Sequence, residues 1–522
     1  MSKDQTRPSI VSLDDELESQ EKDQLETVIS SDTNAPQQHV LSSKGMDEAM
    51  RYAIENHDEN IQLDPETERR LIRKIDLYLL PVMCLVYCVQ FMDKSSNSYA
   101  SVLGLRKDLK MTGDMYGWTG SAFYIGYLFF EFPASYLLQR LPVAKTASVF
   151  MLLWGVVLCL HAVPQYEGFI ALRTLLGMLE SSVTPAFTII TSQWYKKEEQ
   201  FLRVAIWFAF NGVGIILGGA ISYGLSIHGN SYSMEAWKLI FVVTGCITIF
   251  LGLLVLVHIP DTPAGAWFLS DSEKKLVIER IRSNQQGFGS KKFKKYQFVE
   301  ALLDYKTWLM FAFAFCNNVP NGGITNFGNI LLVSDIGYTP NESLLMQMPA
   351  GAVLLVGCIG FSYCVRWYPH RMFWAITGTM VVVFGQCLLA FANNNKMKLA
   401  GLAISSMSSI GIICILSLIS SNVAGHTKKV TTSAIFLIGY CVGNLVGPQT
   451  FRNSEAPGYQ GAKTAIVSCG FIGLFVLCVI WASYIWENKR KDKIDLSKHQ
   501  ALENQEFADL TDKENVFFRY ST

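Results

Sequence analysis

Apolar runs of about 20 residues recur along this chain, separated by short polar or charged connections, and each run is long enough to cross a ~30 Å hydrocarbon core as a helix. Twelve spans are expected, at roughly 76–99, 115–138, 144–163, 168–192, 204–225, 238–258, 306–330, 344–366, 371–391, 398–421, 431–450 and 464–486. Residues 1–63 are polar and acidic with no apolar run of signal-peptide type, which predicts a disordered cytosolic tail. Asp64, Pro65 and Glu66 then offer an N-cap, a first-turn proline and a first-turn acid, so a juxtamembrane helix bearing Arg69, Arg70, Arg73 and Lys74 should precede the first span. The longest connection, 259–305, separates a six-span half at 64–258 from a second at 306–486, and 487–522 forms a cytosolic tail. Ser270 and Glu273 read as a capping box opening an amphipathic helix that should lie along the cytosolic membrane face.

Composition agrees with an all-α polytopic membrane protein: 522 residues, 50% hydrophobic and only 17% charged, with mean hydropathy +0.24. Net charge is zero, which favours neither a nucleic acid nor an acidic partner. The 12 cysteines fall in or beside apolar runs without paired metal-ligand spacing and read as small buried hydrophobes, so neither metal nor cofactor is expected. Lysine and arginine favour the connections after even-numbered spans, although Arg106, Lys107 and Lys110 weaken the contrast, and this bias puts both termini in the cytosol.

A few polar groups interrupt the apolar runs. Arg173 and Glu180 sit seven residues apart in the fourth span, two turns of one helical face, and each intramembrane charge costs on the order of 2.5–3.5 kcal/mol. That face is a candidate ion or substrate path, the alternative being a structural ion pair. The first span ends in Gln90, Asp93, Lys94 and Asn97; its counterpart, the seventh, carries Asn317, Asn318, Asn321, Asn326 and Asn329. Titratable chemistry thus belongs to the N-terminal half and neutral hydrogen bonding to the C-terminal half, unless the asparagines are packing glue. Pro320, Asn321, Gly322 and Gly323 should break the seventh helix. Glu131 is a candidate gate near the cytosolic end of span two, or a side chain that snorkels. Glycines at four-residue spacing, Gly214 and Gly218 in span five and Gly439, Gly443 and Gly447 in span eleven, read as helix packing.

The segments VQFMDKSS at 89–96, FYIGYLFFEFPASYLLQR at 123–140, LRTLLGMLES at 172–181, PNGGITNFG at 320–328 and DLTDKENVFFRY at 509–520 carry a resemblance. The chain resembles the anion:cation symporter branch of the major facilitator superfamily and, within it, the fungal allantoate permease family. That resemblance implies the major facilitator fold, with 12 transmembrane helices in two pseudo-symmetric six-helix bundles and substrate near the midplane. It also implies proton coupling by Asp93 and Glu180 and anion binding by Lys94 and Arg173, with Lys94 standing where the family's bacterial symporter has arginine. Gln90, Asn317, Asn318 and Asn321 complete the expected substrate set.

The function expected is proton-coupled symport of a small organic anion or vitamin-like carboxylate (allantoate or ureidosuccinate, nicotinate, or a thiamine-related compound). A non-transporting nutrient sensor is the alternative, and no enzyme constellation is seen. Its expected partners are the anion, protons and the lipid bilayer, with the chain a monomer in the plasma membrane or, alternatively, the endoplasmic reticulum.

Overall fold

The first helix begins where its capping residues place it, with the Asp64 carboxylate accepting from the Thr67 N–H and Pro65 at the first helical position. The computed structural model describes residues 64–163, 165–282, 293–368, 370–493, 510–515 and 517–522, and the expected disordered tail at 1–63 lies outside them. Helix α1 (Pro65–Val102) runs on through Pro81, so the juxtamembrane helix and first span, expected as two elements, are one. Leu71, Ile75, Leu79, Val82 and Val86 give both pieces one continuous buried stripe. There follow α2 (Met115–Arg140), α3 (Val143–Leu160), α4 (Tyr166–Glu180 continued by Val183–Trp194), α5 (Lys197–Ala209 continued by Asn211–Ile227) and α6 (Ala236–His258). The second half comprises α7 (Tyr305–Ser334), α8 (Pro340–Met346 continued by Met348–Trp367), α9 (Arg371–Phe391), α10 (Asn395–Ser405 continued by Ser409–Asn422), α11 (His426–Gln449) and α12 (Gln460–Asp492). No strand forms among the described residues.

Nine of these helices are long and apolar enough to cross a membrane. The three that fall short are α2, α4 and α7. Helix α4 is interrupted at Ser181 and Ser182, while α2 and α7 have the length but carry polar groups, Glu131 in one and a run of asparagines in the other. These three helices, with α1 and α11, build the site described below.

The packing pattern repeats at an offset of six helices. In the first half α1 packs on α5 and α6, α2 on α4, and α3 on α6; in the second α7 packs on α11 and α12, α8 on α10, and α9 on α12. Between the halves α2 meets α11, α5 meets α8, and α1 meets α7, each contact being its own counterpart or the other's under the same offset. The expected break at Pro320 does not occur: α7 is one helix of 30 residues. The α11 glycines pack closely against it, since a Cβ at Gly439 would lie 2.7 Å from the Phe311 carbonyl and one at Gly443 2.5 Å from that of Phe315. Backbone-to-backbone packing along α11 accompanies the unbroken run of α7 through its proline.

Each half is tied by charge at the end bearing Arg140, Lys196 and Lys428, here called the basal end. In the first, Glu68 meets Lys196 at 2.6 Å and Arg280 at 2.8 Å, and Arg280 also meets Glu199. Arg280 belongs to the helix Asp271–Arg282, whose start is the expected capping box: the Glu273 N–H donates to Ser270 Oγ and the Ser270 N–H to Glu273 Oε2. Val277 and Ile278 of this helix are buried, so part of its apolar stripe packs against the protein. In the second half Lys428 meets Asp512 at 2.6 Å, Glu300 at 2.9 Å and Asp304 at 3.0 Å. Asp512 comes from the C-terminal segment 510–522, whose Tyr520 hydroxyl donates back to Asp512. Burial works against the Asp304 charge, but Lys428, Lys306 and Lys513 outweigh it and hold the carboxyl below the usual range.

Candidate functional site

Glu180 closes the first segment of α4. Directly after it the Ser181 and Ser182 hydroxyls turn back on the Met178 and Leu179 carbonyls, which ends the helix and leaves the carboxylate at a bend. A Cβ on Gly126 or Gly177 would collide with the opposing backbone, so α2 and α4 pack too closely for any side chain larger than glycine at those two positions. Glu180 is fully buried and pairs with Lys94 of α1, Nζ to Oε1 2.8 Å. The Lys94 side chain retains 13% exposure and lies 5.8 Å from the centres of both the Phe123 and Tyr127 rings. Asp93 and Lys94 adjoin in sequence, but Lys94 pairs across the bundle and not with Asp93. Consecutive helical residues point about 100° apart, so Asp93 faces α6 and accepts from Thr248 Oγ1 at 3.3 Å.

Arg173 is buried at 2% exposure, and its Nε donates to the Thr119 carbonyl at 3.3 Å. Its Nη1 has no hydrogen-bond partner among the described residues. A buried guanidinium N–H without an acceptor is costly, and such groups call for a specific explanation. Arg173, Asp93 and Glu180 lie within electrostatic reach of one another. Gln90 is buried one turn before Lys94.

The C-terminal half answers with amides. Asn321 Nδ2 donates to Asn444 Oδ1 at 2.8 Å, Asn444 Nδ2 donates to Asn318 Oδ1 at 3.1 Å, and Asn318 Nδ2 turns back to the Ala314 carbonyl. Asn444 also bonds the carbonyl of Tyr440, whose ring stands 6.4 Å from Tyr127 beside Lys94. The amide chain thus runs from Asn318 through Asn444 to Asn321, with Tyr440 between it and the Tyr127 ring beside Lys94. Asn321 opens into a cavity of about 60 Å³, whose polar wall includes Ser95, Ser98, Gln347, Ser405 and Ser409 and which no charged side chain lines.

Of the expected substrate residues the structure therefore brings Lys94, Arg173 and Gln90 together and places Asn321 on the cavity. Asn318 is a buried link behind it, and Asn317 donates to the Ser408 carbonyl. Asn326 and Asn329 instead join the halves at the end opposite the basal one, through Asn97, Tyr116 and Ser98. Asn444 and Tyr440 went unread in the sequence although the signal was present, a polar pair inside the glycine-spaced run of α11. Glu131, the expected gate, is buried between α2 and α11, with Cys441 Sγ 3.7 Å from its carboxylate.

The Major Facilitator Superfamily family model matches residues 83–448. An uncharacterized transporter of Schizosaccharomyces pombe is 48% identical over 98% of this chain and 100% of its own length. The allantoate permease of Saccharomyces cerevisiae is 48% identical over 92% of this chain and 91% of its own. A thiamine pathway transporter of the same yeast is 33% identical over 92% of each. Among solved structures, a bacterial homolog of the human lysosomal transporter Spinster covers 82% of this chain and 98% of its own, with TM-score 0.55 at 15% identity. The Escherichia coli fucose:proton symporter covers 77% and 99%, with TM-score 0.52 at 14% identity.

Proposed function

Since the chain belongs to the major facilitator superfamily and, within it, to the fungal allantoate permease family, we propose that this transporter is a proton-coupled symporter of a small organic anion, with Lys94, Arg173 and Glu180 at its working centre. One observation carries the reading: a buried guanidinium with an unpartnered N–H beside a partly buried lysine whose carboxylate partner, among the described residues, is Glu180. Lys94 is the group a solute can reach. An incoming carboxylate competes with Glu180 for it, and the displaced Glu180, fully buried and stripped of its cation, is neutralised by a proton. Proton and anion then bind cooperatively, and at equilibrium the coupling is reciprocal. Without an anion the Lys94–Glu180 pair reforms, because leaving one partner of a buried pair alone costs about 3–5 kcal/mol. Asp93, turned toward α6, is outside this exchange as placed and is the second candidate for proton coupling.

The uncharged cavity next to Asn321 fits the part of the substrate that bears no charge. Ser98 lies one helical turn beyond Lys94 on the same face of α1, so an anion held at Lys94 extends into that wall. The allantoate permease relative supports a carboxylate with neutral hydrogen-bonding groups. Uptake of a labelled panel (allantoate, ureidosuccinate, nicotinate and simple monocarboxylates), at two external pH values in cells lacking their own permeases, tests the reading. Acid-stimulated uptake of at least one anion is the expected result; no anion carried at either pH in protein that reaches the membrane would sink it. In the same assay Asn321→Ala should change relative uptake across the panel by about 5- to 30-fold, the worth of one or two hydrogen bonds. An equal loss for every substrate would make Asn321 packing glue. The basic basal end faces the cytosol and with it both termini, by the bias of lysine and arginine.

A further inference from the structure

Glu131 is the carboxyl that the exchange above leaves unused. It lies nine residues before the basal end of α2, about 13 Å along the helix, and its side chain is 8% exposed while Cys441 opposite is 0%. The charged and titratable groups facing it are Tyr127 on its own helix and Tyr440 and Cys441 on α11; Lys94 stands beyond them, held by Glu180. No cation approaches Glu131 within ion-pair distance among the described residues, and a thiol is a weak partner. An ionised carboxylate there would be a buried, unpaired charge costing several kcal/mol, and groups in that position neutralise instead.

Position gives the neutral form a consequence. The ties between α2 and α11 run from Gly117 against Pro448, through Ser121 on the Leu445 carbonyl and Tyr124 and Tyr127 against Tyr440, to Glu131 on Cys441. Glu131 is the last of them toward the basal end, where rocking of one half against the other would first let water in. We propose that Glu131 is a proton-linked latch between the halves: it holds a proton while α2 and α11 are packed, releases it to water when they separate, and must regain it before they repack. This goes beyond the exchange at Lys94 and does not depend on which anion is carried.

The test needs neither substrate nor gradient, so its failure and the failure of the symport reading are distinguishable. Cys441 is closed off by the latch, and its alkylation by N-ethylmaleimide in the full-length protein, read by mass spectrometry of its peptide, reports separation of α2 from α11. Thiol reactivity itself rises with pH, and Glu131→Gln supplies that baseline because its amide cannot titrate. From about pH 5 to about pH 8 the ratio of wild-type to Glu131→Gln alkylation should rise about tenfold, as a carboxyl passes through its titration. Glu131→Asp, which keeps an ionisable group with less reach, should retain a rising ratio to the Gln variant and so separates titration from loss of packing. A ratio that stays flat for both wild type and the Asp variant overturns the proposal.

Discussion

Arg173→Ala should lower uptake at least 100-fold, equivalent to ~3 kcal/mol, while the protein still reaches the membrane. The guanidinium is 2% exposed, yet its protein partner is one carbonyl, that of Thr119, accepting from Nε. A residue kept for structure alone would have its remaining donors satisfied; here Nη1 has no acceptor among the described residues. An anion satisfies it, and the alanine variant loses that contact in every substrate-bound state. Arg173→Lys keeps the charge but not the planar fork, so it should be impaired as well, recovering part of the uptake rather than all of it. Radiolabelled uptake normalised to surface protein measures both variants. Near-normal uptake by the alanine variant would return Arg173 to a packing role against Phe123, whose ring centre lies 6.0 Å away.

The second large effect separates binding from driving. Glu180→Gln imitates the protonated acid permanently, and it frees Lys94, whose 2.8 Å partner it removes. The variant should bind anion and exchange it in counterflow, yet fail to accumulate it against a gradient and lose most of its pH dependence. Removing one member of a buried pair destabilises by about 3–5 kcal/mol unless something replaces it. Substrate should therefore raise the melting temperature of Glu180→Gln more than that of the wild type, a result a purely structural glutamate would not give. If the variant still concentrates substrate under an acid-outside gradient, coupling passes to Asp93.

Twelve helices and their division into halves were legible in the apolar runs, because bilayer thickness fixes span length whatever surrounds it. Boundaries failed where tertiary contact overrode local grammar. Pro320 reads as a break, but the α11 glycines pack against α7 from Phe311 to Gly323, on both sides of the proline, and the helix at Asp271–Arg282 buries Val277 and Arg280 against protein, a contact its pattern alone could not name. Seven-residue spacing put Arg173 and Glu180 on one helical face, but spacing within a helix says nothing about the partner across the bundle. Lys94 and Asp93 adjoin in sequence, but a helix sends neighbours to different faces, and Lys94 went to Glu180. Asn444 itself stood out as a polar residue in the glycine-spaced run of α11, but its partners did not, since the amide chain joins α7 to α11 across more than 100 residues of chain.

The central claim is that an anion at Lys94 and a proton at Glu180 move together. Purified protein in liposomes, given an acid-outside pH gradient with the membrane potential clamped, tests this with the substrate found in the uptake panel. The account predicts that labelled anion accumulates above its equilibrium level, that a protonophore collapses the accumulation, and that adding anion without an imposed gradient draws protons inward with it. Anion that equilibrates but never accumulates, with no proton movement on its addition, would contradict the account and leave a facilitator in which Glu180 serves only to hold Lys94 in place.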